Sequence, residues 1–194
     1  VMADIMRAAN AKVLVTLAPL PKVDIWQKVS SVIHEVPTLR VVLQVDLSNY
    51  LSGIKRIGAK ILAKRIKGSP VSLPIYDFNH AMKRYPTVEL LSNRRFHPDD
   101  VASYLHTGGT TGIPKLAQRT HHNEVFDAWS ALQAMHSTPE EDAKHVMFGG
   151  LPLFHNNGMT VTAFIPFVMG GTLVLGSPSG YRGEGIISNF WKIV

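Results

Sequence analysis

Residues 106–115 read HTGGTTGIPK, a stretch with three glycines, three threonines and one lysine and almost no apolar bulk. Gly108, Gly109 and Gly112 free the backbone to turn sharply and bring its amides close to a ligand. Thr107, Thr110 and Thr111 add hydroxyls, and Lys115 adds one compact positive charge. This inventory suits the oxygens of a polyphosphate, which favour several short donors and a cation over an apolar wall. A plain hairpin connection has a similar composition, so the surrounding residues must decide between the two.

Two familiar phosphate loops are excluded by spacing. A Walker A loop places glycine before its lysine and serine or threonine after it, whereas Lys115 stands between Pro114 and Leu116. A dinucleotide fingerprint needs glycines at its first, third and sixth positions, and Gly108, Gly109 and Gly112 do not fit that pattern.

A second candidate is Leu151-Pro152-Leu153-Phe154-His155, followed by Asn156, Asn157 and Gly158. Taken alone, Phe154 reads as core and His155 as a helix-entry residue with satisfied hydrogen bonds.

Bulk properties narrow the field. A chain of 194 residues is long enough for one substantial core or two small lobes. Cysteine is absent, which removes disulfides, thiolate metal sites and a cysteine nucleophile and fits a reducing compartment. The most apolar stretch, 161–176, is interrupted by Pro166, Gly170 and Gly171 and is shorter than the ~20 residues a bilayer span needs. No secretory signal pattern opens the chain, so a cytoplasmic setting is expected. The formal net charge is +6. Lys55, Arg56, Lys60, Lys64, Arg65 and Lys67 crowd one segment, interleaved with Ile54, Ile57, Ile61, Leu62 and Ile66 at helical spacing. The segment 54–67 therefore reads as a basic amphipathic helix, either a solvated surface helix or a weak peripheral membrane contact. No aromatic residue interleaves its charges for base stacking, so nucleic acid is not expected as a partner.

The elements that must position these residues alternate. Val13 to Leu17 predicts a strand, 24–35 a helix and 39–45 a second strand, which together imply a parallel pair covered by helices on both faces. The stretch 68–78 reads as a proline-punctuated connection, followed by a short helical patch at 81–85. Strands at 100–106 and 115–119 place the glycine loop at a hairpin tip. Thr120 is the expected N-cap of a helix carrying Val125, Trp129 and Leu132, with Trp129 expected in the core and Glu124 favourably placed in the first turn. A strand at 145–149, an apolar helix through Phe167, a strand at 172–175 and a closing helix with Ile186, Ile187, Phe190, Trp191 and Val194 complete the alternation. The fold class is α/β, with mostly parallel sheets flanked by helices. Three parts are expected: a βαβ-like part at 1–48, a basic helix and irregular connection at 49–100, and a part at 101–194 with the loop and the second motif.

Together these motifs resemble the adenylate-forming (AMP-binding) superfamily of acyl-CoA synthetases, nonribosomal adenylation domains and luciferases. The family's loop runs Thr-Ser-Gly-Ser/Thr-Thr-Gly-x-Pro-Lys-Gly, and residues 107–116 match eight of its ten places, with Gly108 for serine and Leu116 for the last glycine. Thr120, His121 and Asn123 match the Thr-His-x-Asn sequence that follows the loop, and Leu151 to His155 with Gly158 match the stretch beside the acyl pocket. The subfamily tone is that of fatty-acyl or related carboxylate CoA ligases.

The resemblance implies ATP-dependent activation of a carboxylate, a fatty acid among the candidates, through an acyl-adenylate and then thioester formation with coenzyme A. It assigns Thr107, Gly108, Gly109, Thr110, Thr111, Gly112 and Lys115 to the phosphates, with Thr110, Thr111 and Lys115 catalytic. It assigns Phe154, His155, Asn156, Asn157 and Gly158 to the acyl pocket. Mg²⁺ is implied with ATP, its ligands unassigned. The family's adenine, ribose and C-terminal lysine motifs are not found, so the chain is expected to be an internal piece of the large N-terminal domain, inactive alone and prone to self-association. The alternatives are a nucleotide-binding module without catalysis and a membrane-associating module.

Overall fold

The computed structural model describes residues 1–85, 87–107, 115–135 and 144–193. They form two compact units. The first is Val1–Arg95 with the described residues between His106 and Leu116, and the second is Phe96–Leu105 with Ala117–Val194.

In the first unit, helix α1 (Met2–Ala8) leads into strand β1 (Val13–Leu17), helix α2 (Ile25–Val32), strand β2 (Val41–Val45), helix α3 (Gly53–Ala63), strand β3 (Ile75–Asp77) and helix α4 (Phe78–Met82). The three strands form one parallel sheet in the order β1-β2-β3, with Val13 opposite Val41 and Val42 opposite Ile75. The predicted parallel pair is present, and β3 extends it. That strand falls in the segment read as an irregular connection, because its three residues after Pro74 carry little pattern of their own and are fixed by pairing with Val42–Gln44. Met6 of α1, Trp26, Val29 and Ile33 of the α2 segment and Leu39 and Val42 near β2 make the core. A buried branched side chain such as Val42 contributes about 1.5–3 kcal/mol. Along β1 burial alternates: Val13 and Val15 are about half exposed while Thr16 is buried. This strand is therefore not buried on both faces as a doubly covered parallel sheet would require.

In the second unit, strands β4 (Val101–His106) and β5 (Leu116–Thr120) pair with each other, their outer ends His106 and Leu116 belonging to the first unit. Helix α5 (His121–Met135) follows. Strand β6 (Val146–Gly149) connects through helices α6 (Asn156–Met159) and α7 (Ile165–Met169) to strand β7 (Thr172–Leu175), and β6 and β7 lie parallel with Val146 opposite Thr172. Between α6 and α7 the chain makes one wide π-type turn at Thr160–Phe164. It stands just before Pro166, whose missing N–H and bulky ring disfavour a regular turn there. Gly170 ends α7 in the left-handed conformation at φ 72°.

Two expectations for this unit are corrected. Trp129 is 48 % exposed and rests against Phe126, because α5 turns Ala128 and Leu132 inward. The closing helix is only Phe190–Ile193 (α8), with Ile186 buried but Ile187 and Trp191 outside.

Candidate functional site: a cavity after strand β6 and the base of the glycine loop

The glycine loop leaves β4 at Thr107 and re-enters β5 after Lys115. The Thr107 amide donates to the Lys115 carbonyl oxygen at 2.9 Å, and the Thr107 hydroxyl lies 3.3 Å from the same oxygen. The ends of the loop are thus clamped together. Lys115 is exposed, and no ion pair among the described residues engages it. Gly108, Gly109, Thr110, Thr111 and Gly112, expected at the phosphates, lie outside the described residues.

Thr120 then caps α5. Its Oγ1 accepts from the Asn123 amide and the Asn123 Oδ1 accepts from the Thr120 amide, both at 3.1 Å, which satisfies two donors that a helix start leaves unpaired. Glu124, in the first turn, accepts from the Ser103 hydroxyl at 2.5 Å and ties the helix to β4.

The second motif forms a cavity of about 490 Å³ within the second unit. Of the five residues expected at the acyl pocket, Phe154, His155, Asn157 and Gly158 line it. Asn156 does not: its side-chain oxygen accepts from Arg119, whose other terminal nitrogen lies 3.5 Å from the Asp127 carboxylate. Thr160 donates to the same carboxylate at 2.9 Å. This cluster pins the start of α6 to β5 and α5. His155 caps α6, its Nδ1 accepting from the Asn157 amide at 3.3 Å. A neutral imidazole that accepts through Nδ1 carries its proton on Nε2, which leaves one donor free for a bound group.

Sequence reasoning missed the opposite wall, Ser179, Tyr181 and Arg182, together with Gly150. The Tyr181 amide donates to the Gly150 carbonyl at 2.8 Å, and a Cβ on Gly150 would lie 1.9 Å from the Tyr181 ring. Gly180 has φ 58°, and a Cβ there would come within 2.1 Å of the Gly150 carbonyl oxygen. Gly158 meets the Pro152 carbonyl oxygen equally closely, at 2.0 Å from its built Cβ. The glycines let two loop backbones approach and shape the cavity between them; their only trace in the sequence was the Gly149-Gly150 and Ser179-Gly180 pairs. Phe154, Leu151 and Tyr181 supply apolar surface, while His155, Asn157 and Arg182 supply polar ends. Such a mix holds an organic group by its body and an anionic end by its charge. Among the described residues no cluster of three His, Cys, Asp or Glu side chains stands ready to hold a metal ion, and no helix is long and apolar enough to cross a membrane.

The chain is similar to the marinolic acid–CoA ligase of Pseudoalteromonas sp. (strain SANK 73390), 28% identical over 191 residues that cover 98% of this chain and 26% of that protein. It is also similar to a long-chain-fatty-acid–CoA ligase of Bacillus subtilis (strain 168), 28% identical over 173 residues, 88% of this chain and 29% of that one. The chain thus spans between a quarter and a third of these relatives. Among solved structures, the anthranilate CoA ligase AuaEII in complex with anthranoyl-AMP shares the fold with a TM-score of 0.64 at 18% identity, over 99% of this chain and 30% of that one. The family model for AMP-binding enzymes matches residues 1–186. Matched over that span, this chain belongs to the AMP-binding enzymes.

Proposed function

We propose that this chain supplies the phosphate-gripping loop and part of the acyl pocket of an acyl-CoA synthetase, within the large N-terminal domain. A carboxylate oxygen attacks the α-phosphorus of ATP, the bond to the β-phosphate oxygen breaks, and pyrophosphate leaves with the bonding electrons. The acyl-adenylate then passes its acyl group to the thiol of coenzyme A, with AMP as the leaving group. As pyrophosphate departs, negative charge grows on its oxygens, and loop amides, the hydroxyls of Thr110 and Thr111 and the Lys115 ammonium stabilise it. Mg²⁺ bound to the phosphates would neutralise part of that charge; the nucleotide, rather than a cage of protein side chains, would bring most of its ligands.

The observation that carries this reading is the cavity that His155 and Arg182 line together with the apolar Leu151, Phe154 and Tyr181, in a chain that also carries a family-type phosphate loop. Arg182 and the Nε2–H of His155 would hold and orient a carboxylate, and Phe154 and Tyr181 its organic part. A small or medium organic acid and a fatty acid both meet that description. The test is carboxylate-dependent exchange of labelled pyrophosphate into ATP, run over a panel of acids with the longest natural polypeptide carrying this sequence. Exchange that needs the acid, with AMP as the nucleotide product once coenzyme A is added, is expected. Nucleotide binding indifferent to every acid would favour a non-catalytic module.

A further inference from the structure

The chain has 20 Lys and Arg against 14 Asp and Glu. Six of those cations and none of the acids lie in residues 47–76, so the remainder balances at fourteen of each sign. The whole excess charge of the chain therefore sits on α3 and the few residues after it. None of Lys55, Arg56, Lys60, Lys64, Arg65 and Lys67 makes an ion pair among the described residues, and Arg56 reaches only the Asn49 side-chain oxygen at 3.4 Å.

The apolar side of α3 is equally unusual. The helix buries no residue fully. Gly58, Ala59 and Ala63 are its half-buried positions, and Leu62 and, just past the helix, Ile66 line a shallow cavity with Leu20 and Val23 of the same unit. At about 100° per residue, Ile54, Ile57 and Ile61 share a stripe on the far side from Ala59 and Ala63. They are 88%, 61% and 53% exposed. Three outward isoleucines spaced over about 10 Å, bordered on one side by Lys64 and Lys60 and followed about 100° round on the other by Lys55, combine apolar surface and cations on one helix, while Arg56 falls on the side of Ala63.

We propose that α3 docks this unit on an anionic phospholipid bilayer. The helix lies in the plane of the interface, with Ile54, Ile57 and Ile61 at the headgroup–acyl boundary and Lys55, Lys60 and Lys64 among the lipid phosphates. Charge complementarity selects this occupant. A neutral protein groove would leave six unpaired cations uncompensated, and a nucleic acid would leave the isoleucine stripe in water, with no aromatic residue between 51 and 75 to stack on bases. Docking does not depend on the catalytic reading above.

The 194-residue chain is floated with vesicles of phosphatidylcholine alone and of phosphatidylcholine mixed with phosphatidylglycerol. Binding only to the anionic vesicles, weakening as salt rises, is expected. Lys55→Gln, Lys60→Gln and Lys64→Gln combined should weaken it by about a hundredfold, at roughly fivefold per cation. The matching Lys→Arg triple should bind like the parent. Ile54→Ser, Ile57→Ser and Ile61→Ser combined should lose binding by about tenfold or more although every charge is kept. Circular dichroism of each variant checks that these exposed changes leave the fold intact, and quenching of Ile57→Trp fluorescence by brominated lipid reports insertion independently. Equal binding to neutral vesicles, no binding to either kind, or full binding by the Gln triple overturns the proposal. So does oligonucleotide binding that exceeds vesicle binding and ignores the Ser changes, or loss of vesicle binding in the longest natural polypeptide carrying this sequence.

Discussion

Thr120 and Asn123 hold each other across the first turn of α5, each side chain accepting from the other's backbone amide at 3.1 Å. The pair sits where β5, returning from the glycine loop, becomes a helix. It fixes the angle at which one changes into the other. Asparagine takes the place that glutamate or glutamine holds in the usual reciprocal cap, because its shorter side chain still reaches the capping residue's amide.

Thr120→Ala should therefore destabilise the fold by about 1 kcal/mol, and Asn123→Ala by a similar amount. Because the two bonds share one geometry, the double variant should cost less than the sum of the singles. Denaturant unfolding of the four proteins measures this. Strictly additive losses would mean that the two bonds form independently.

The glycines of the cavity wall make a sharper case. Gly180→Ala must place a side chain at φ 58° with its Cβ 2.1 Å from a carbonyl oxygen, so backbone has to move. A loss of roughly 2–4 kcal/mol is expected, from left-handed strain and the clash together. Gly58→Ala, on exposed α3 with nothing near its built Cβ, should instead be neutral or stabilising by about 0.5–1 kcal/mol. Thermal unfolding separates the two. A mild effect at Gly180 would mean that the Gly150 loop yields easily.

Asp24 bonds Lys28 one turn on in α2, at 2.8 Å, and that hydrogen bond holds the carboxyl below its ordinary value of 3.8. A group lowered on folding stabilises the native state above its unfolded pKa and loses that contribution as pH falls through the lowered folded value. Asp24→Asn should therefore leave stability near neutrality almost unchanged, since both groups are exposed, and flatten its decline below about pH 4. Acid titration of the circular dichroism signal checks it.

Lys115 can be tested without disturbing the fold, since its side chain is exposed. In carboxylate-driven pyrophosphate exchange, Lys115→Ala should lower kcat by on the order of a hundredfold, as expected when a charge on the developing anion is removed. Lys115→Ala combined with Thr110→Ala and Thr111→Ala should fall further. Normal nucleotide consumption by the triple variant would remove the phosphate-gripping role of the loop.

Much of this was legible in the residues because it is local. The β-branched runs 13–17 and 172–175 are strands with those same bounds. Thr120 with Asn123 caps its helix through bonds only three residues long. What escaped is non-local. Tyr181 and Arg182 lie on a short turn that carries no chemistry by itself, and they become a wall only because Gly150 and Gly180 let two distant loops touch. Asn156 reads as a pocket residue by its place beside His155, but Arg119, 37 residues earlier, claims its side chain. Trp129 follows the usual inward preference of large aromatics until the small side chain of Ala128 and the Asp127–Thr160 bond set which face of α5 turns in.

His155 does two things that one substitution can part. Its Nδ1 caps α6, which any good N-cap residue can do, while its Nε2–H is the donor proposed for a carboxylate in the cavity. Asparagine caps well but, with its shorter side chain used on the helix, offers nothing at the distance of Nε2. His155→Asn should therefore melt close to the parent yet raise KM for the acid about tenfold, the loss of one hydrogen bond to a charged group. His155→Ala should lose the cap as well, by about 1 kcal/mol, with a similar rise in KM. If Asn restored both stability and KM, the imidazole would be a cap and nothing more, and the carboxylate would have to be held by Arg182 alone.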